Sequence, residues 1–130
     1  MKPCIPPTII SFVILLLTIS VESSYSEDRK LTTMGFPVSK IESNQNQTKR
    51  YELTKKQTKE YQVVISEFEG RFYWESRNKV ELIKTISGIY TNYVSPTGSG
   101  YIKVSTLDNT YLEHINSGLG TITYWGIVQE

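Results

Sequence analysis

One histidine, His114, and a scatter of carboxylates are the groups in this 130-residue chain best suited to moving a proton near neutral pH. His114 beside a carboxylate would make the acid–base pair that a small hydrolase needs. The carboxylates on offer are Glu75, Glu81, Asp108 and Glu113, which fall in different runs with nothing in their context to single one out. Glu113 is the sequence neighbour of His114, so on a strand the two point to opposite faces. A metal site needs three or four converging ligands, usually with more than one His or Cys. A chain with one of each offers no such set, and no metal or other cofactor is expected. Ser76-Arg77-Asn78-Lys79 spells the S-x-x-K of serine acyl-transfer enzymes, where Ser and Lys share a helical turn and two further motifs follow. Here the stretch falls at a hairpin and those motifs are missing. Gly98-Ser99-Gly100 is read as a turn that uses the backbone freedom of glycine.

Binding chemistry has more material. Nine tyrosines and two tryptophans are many for this length. On an exposed sheet face such rings are large, stiff, amphipathic contact groups for sugars or protein partners. Trp74 is expected in the core with its N–H satisfied, and Arg77 beside Glu75 as a cross-strand pair. The candidate contact residues are Tyr90, Tyr101, Lys103, His114 and Trp125. Asn46-Gln47-Thr48 matches the acceptor pattern for N-glycosylation, which makes Asn46 a candidate modification site. A formal net charge of +1 argues against nucleic acid, which calls for a clustered basic face. Lys49, Arg50, Lys55, Lys56 and Lys59 are diluted by Glu52 and Glu60 and read as a solvated segment.

These side chains must be positioned by strands. From Tyr61 onward, β-branched and aromatic residues come in short runs at 61–68, 71–77, 80–87, 89–95, 100–106, 110–116 and 121–128. Breaks at Glu69-Gly70, Asn78-Lys79, Ser87-Gly88, Pro96 to Ser99, Asp108-Asn109 and Ser117 to Gly120 are too short for anything but antiparallel neighbours. A two-residue turn at Glu69-Gly70 sets Ile65 opposite Trp74. Pairing 95 with 100, 107 with 110 and 116 with 121 aligns Tyr93, Ile102, Ile115 and Ile122 as an inner row. The outer face then carries Asn92, Lys103, His114 and Thr123, with Tyr90, Leu112 and Trp125 beside them. One stretch reads two ways. Thr54-x-x-Gln57 has the form of a helix capping box and Gly70 that of a helix stop, while Val63-Val64-Ile65 favours a strand for the latter half of 55–69.

Ahead of this domain, Lys2 precedes an apolar run, Thr8–Val21, within the usual window of ~7–15 residues for the core of a secretory signal and short of the ~20 that span a bilayer. Val21 with Ser23, or Ser24 with Ser26, stands at the spacing that a signal peptidase reads. Cleavage there removes the only cysteine, Cys4, so the mature chain has no disulfide and must hold together by its core. Residues 27–60 are polar, and Leu31, Met34, Phe36, Val38 and Ile41 follow no period, which describes a flexible arm. Leu82 to Tyr90 (LIKTISGIY) is similar to the L-x-x-x-x-S-x-S-G-x-x-Y stretch of periplasmic C-type lysozyme inhibitors, which are small secreted β-barrels. It covers under a tenth of the chain, and one of the paired serines and the family's cysteines are missing, so nothing is carried over except that barrels of this size can be binders.

The fold expected is all-β: a small antiparallel meander closing into a barrel or sandwich over 61–130, after a signal peptide (1–26) and a flexible polar arm (27–60). The function expected is that of a secreted or periplasmic, non-enzymatic binding module. Its partner would be a protein or a carbohydrate, not nucleic acid, and it keeps no membrane span after cleavage. The alternative is a small secreted hydrolase using His114 and an undetermined carboxylate.

Overall fold

Glu69 and Gly70 both adopt left-handed backbone (φ 52° and 78°), the geometry of a tight hairpin whose twist matches its strands. They join β3 (Val63–Phe68) to β4 (Arg71–Trp74), with Ile65 opposite Trp74 as expected. The meander continues through β5 (Val80–Ser87), β6 (Tyr90–Val94), β7 (Gly100–Ser105), β8 (Thr110–Ser117) and β9 (Gly120–Gln129), every neighbour antiparallel. The computed structural model describes residues 29–129; the expected signal, residues 1–26, lies outside the described residues.

The sheet closes through β1 (Lys30–Ser43), which pairs with β9 on one side and stands next to β3 on the other. Directions alternate from β3 to β9, so a strand antiparallel to β9 is also antiparallel to β3. Eight strands, β1 and β3 to β9, therefore close without a parallel pair, and β2 (Thr48–Glu52) adds one strand along the second half of β1. Closure removes sheet edges that would invite association. The β1–β9 seam depends on Gly126, where a Cβ would run into the Phe36 carbonyl oxygen and the Pro37 backbone.

Residues 30–60 correct the expected flexible arm. They form β1, β2 and the short helix α1 (Lys55–Glu60). The apolar pattern misled because β1 has a register shift between Pro37 and Ser39. Gly35 and Pro37 face the interior before it, and Lys40 and Glu42 sit opposite the inward-facing Tyr124 and Ile122 after it. The alternation changes phase within one strand. Helix α1 and β3 divide the stretch that read two ways. Thr54 and Gln57 cap reciprocally (Gln57 N–H to Thr54 Oγ1, 3.3 Å; Thr54 N–H to Gln57 Oε1, 3.0 Å), and the strand begins at Val63. Thr58 ties the helix to the seam by donating its hydroxyl to the Pro37 carbonyl, 2.9 Å.

The core fills the barrel with Val63, Ile65, Trp74, Leu82, Tyr93, Ile102 and Tyr111. Tyr93 opposite Ile102, and Ile115 opposite Ile122, follow the expected registers. The β7–β8 register does not: residue 100, not 102, pairs with Ile115, so Ile102 lies opposite Glu113. A longer turn over 106–109 causes the slip. Asp108 Oδ1 accepts from the Thr110 N–H (3.2 Å) and hydroxyl (2.7 Å), and Asn109 turns left-handed (φ 57°). A slip of two preserves faces, since side chains alternate with period two. It replaces isoleucine by glutamate in the inner row, and Ile115 and Ile122 move toward the end of the barrel, where they are half-buried.

Candidate functional site

The five candidate contact residues share one outer wall. Tyr101, Lys103, His114 and Trp125 point outward because Ile102, Glu113 and Tyr124 point inward, and Tyr90 is outward on β6. Tyr101 and His114 are cross-strand partners with stacked rings, centroids 5.1 Å apart. The Lys103 ammonium lies over the Tyr90 ring, 4.3 Å from its centre, the arrangement in which a cation meets the negative face of an aromatic. Trp125 is 45 % exposed and pairs across the strands with Leu112, which pairs in turn with Lys103. Ile83, Val94, Tyr101, His114, Thr123 and Ile41 form a second continuous row across six strands. Four of these are large apolar groups left exposed, which makes the row an apolar band on a polar wall.

The His114 Nδ1 is 3.0 Å from the Thr123 hydroxyl, a pairing with no carboxylate in it. Glu113 faces the interior. Three surface grooves do not reach His114. One of about 550 Å³ runs between α1 and the β1–β9 seam, past Phe36, Val38, Leu53 and Ile127. One of about 290 Å³ lies beside Lys40, Glu42, Tyr51 and Gln57, and one of about 340 Å³ along Leu31–Met34. Among the described residues no three His, Cys, Asp or Glu side chains gather as metal ligands, and no helix is long and apolar enough to cross a membrane.

Asn46 sits at the tip of the β1–β2 hairpin, exposed. Its neighbour Asn44 builds the turn: Asn44 Oδ1 accepts from the Asn46 and Gln47 N–H groups at 2.8 and 3.0 Å. The turn thus uses the backbone of Asn46 and leaves its side-chain amide on the outside.

Inside the barrel lies a group of residues that the sequence did not bring together. Glu113 is fully buried. Its Oε2 accepts the Trp74 indole N–H at 2.8 Å and stands 3.7 Å from Arg77 Nε. Trp74 is therefore core with its N–H satisfied, while Arg77 is paired across the barrel with Glu113 and not with Glu75, which accepts from the Ser66 hydroxyl at 2.7 Å. Burial pushes the Glu113 carboxyl above the ordinary carboxylate range; the Arg77 cation and the Trp74 hydrogen bond pull the other way. Burial likewise raises Tyr111, with the Glu113 charge adding to it, and raises Tyr124, where Arg77 and Lys40 oppose it. Arg77 lies over the Tyr124 ring at 5.6 Å, Tyr124 is 5.4 Å from Tyr61, and Lys40 covers Tyr61 at 5.2 Å. A ladder of cations and rings so runs from the groove beside Lys40 to the buried carboxylate. The legible signal was parity: an outward His114 requires an inward Glu113.

Comparison of the chain with protein-family models, curated proteins and solved structures finds no match.

Proposed function

We propose that this protein is an exported, non-enzymatic binding module that engages a protein or carbohydrate partner through the outer wall of its barrel. The observation that carries this reading is the convergence of Tyr90, Tyr101, Lys103, His114 and Trp125 on one face. There, exposed rings alternate with a cation, an imidazole and the polar side chains of Asn92 and Thr123. Rings of this kind supply contact area at little cost in side-chain entropy, and the polar groups between them supply direction. The hydrolase alternative gains nothing from the pairing of His114 with Thr123.

The test is capture and stability measured together. With the mature barrel as bait on a glycan array and in the exported fraction of its source, the double variant Tyr101→Ala, Trp125→Ala should lose at least about tenfold in retention, as expected when two aromatic anchors are truncated. Its Tm should stay within about 2–4 °C of the parent, because surface changes rarely exceed ~0.5 kcal/mol. Equal retention by parent and variant would overturn the wall as the contact site.

Export rests on the Thr8–Val21 run and its small-residue sites. The intact mass of the exported protein should correspond to a chain starting at Ser24 or Glu27. In a eukaryotic host the same measurement should show a glycan on Asn46 that Asn46→Gln removes, since the hairpin tip leaves that amide accessible. A full-length mass in the membrane fraction would overturn export, and an exported but unmodified mass the glycan.

A further inference from the structure

The connection from β4 to β5, Glu75–Lys79, sits at one end of the barrel and is conformationally costly. Asn78 and Lys79 are consecutive non-glycine residues in left-handed backbone, φ 57° and 56°. Toward β3 the turn is held by hydrogen bonds: Glu75 N–H to the Val64 carbonyl (2.8 Å), Val64 N–H to Ser76 Oγ (3.0 Å), and the Ser66 hydroxyl to Glu75 (2.7 Å). Toward the interior Arg77 reaches past the Tyr124 ring to Glu113.

That inner contact differs in kind from the outer ones. At 3.7 Å it is an attraction of charges and not a hydrogen bond, and Arg77 Nε has no hydrogen-bond partner. Glu113 Oε1 and the Tyr111 hydroxyl, both buried, also have none. Arg77 is one-third exposed while Glu113 is fully buried, so the arginine can reach water by a side-chain rotation and the glutamate cannot. What seats Arg77 is therefore the negative charge on Glu113, together with the ring face and the hydroxyl of Tyr124.

We propose that Arg77 is the pH-gated stopper of this end of the barrel, seated while Glu113 is ionised and released to solvent when Glu113 takes up a proton. The groups facing Glu113 are Arg77 from the turn, the Trp74 indole from β4, Tyr111 from β8 and Tyr124 from β9, with Lys40 from β1 beyond the tyrosine. Of the two cations, Lys40 is held by Glu42 at 2.7 Å and stands behind the tyrosine, whereas Arg77 is one-third exposed and stands against Glu113 itself, so Arg77 is the group that moves. Release exposes the ring face of Tyr124 and opens a path toward the unpartnered oxygens of Glu113 and Tyr111. Burial places the transition above pH 4.5, the ordinary value of the carboxyl.

Trp74 and Trp125 are the chain's two tryptophans, so Trp125→Phe leaves the Trp74 indole, bonded to Glu113, as the sole emitter. Its fluorescence between pH 4 and 8 should follow one proton with a midpoint above 4.5, and the added change Glu113→Gln should remove the step. In the unsubstituted protein the side-chain protons of Arg77, shifted upfield by the Tyr124 ring at neutral pH, should return to their free-arginine positions over the same step. In Glu113→Gln they should stand there at every pH. A flat Trp74 emission overturns the proposal, as does an Arg77 signal that keeps its ring shift while Trp74 titrates. The wild-type signal alone decides the matter if the glutamine variant does not fold.

Discussion

Ile102→Ala should lower the unfolding free energy by about 2–5 kcal/mol, through lost transfer energy and the cavity left behind. Ile102 is fully buried at the middle of β7, between Tyr93 on one neighbouring strand and Glu113 on the other. A domain of this size is typically stable by only ~5–15 kcal/mol, so urea denaturation should show the midpoint falling steeply. Lys103→Ala, one residue along and facing out, should cost no more than about 0.5 kcal/mol. Thr123→Ala falls between them, at about 1 kcal/mol, because it breaks the hydrogen bond to His114. Ile115 is half-buried at the barrel end and should cost less than Ile102. A variant at Lys103 that proved more damaging than Ile102→Ala would invert the faces of the wall and remove the proposed contact surface with them.

The meander was legible because its information is local. Turn chemistry at Glu69-Gly70 and within Ser117–Gly120 fixes where strands end, Gly88 marks a third turn that lies one residue later than the expected Ser87-Gly88 break, and alternation from Tyr61 onward fixes the faces. These two signals suffice to gather Tyr90, Tyr101, Lys103, His114 and Trp125 on one wall. What was not legible depends on contacts far along the chain. β1 looks aperiodic because its register shifts after Pro37, and its pairing with β9 spans most of the domain. The turn after β7 looked like two residues, Asp108-Asn109, until the Asp108 side chain is seen to cap Thr110 and widen it to four. That small local error set Ile115 in the core row opposite Ile102, a place that the true register gives to Glu113. The Arg77–Glu113 contact, between a turn and a strand on the far side of the barrel, carries no local signature, and Arg77 next to Glu75 suggested a nearer partner.

Arg77→Met should destabilise the protein by about 3 kcal/mol at pH 7.5, the lower end of what is lost when one member of a buried ion pair is removed, since Arg77 is partly solvated. The loss comes from leaving the Glu113 charge in the core without its counter-ion, so it depends on that charge being present. Glu113→Gln alone should behave differently. Its amide oxygen can still accept the Trp74 N–H, and Arg77 has water within reach, so removing the charge should leave stability unchanged or raised. The double variant Arg77→Met, Glu113→Gln should recover most of what Arg77→Met loses, giving a coupling free energy of about 2–3 kcal/mol in a double-mutant cycle. Proton linkage fixes the pH dependence. Burial raises the Glu113 carboxyl in the folded state, so the fold prefers it protonated: its contribution is favourable below the unfolded value near 4.5 and is lost as pH rises through the folded value. Glu113→Gln should therefore gain on the parent with rising pH and match it near pH 4, while the Arg77→Met penalty shrinks on acidification. Asp108 has the opposite sign, being held low by its bonds to Thr110 and Ser105, but both proteins retain it and it cancels in the difference. If Arg77→Met proved harmless at pH 7.5, Glu113 would carry no charge there that Arg77 compensates, and the stopper would have nothing to hold it.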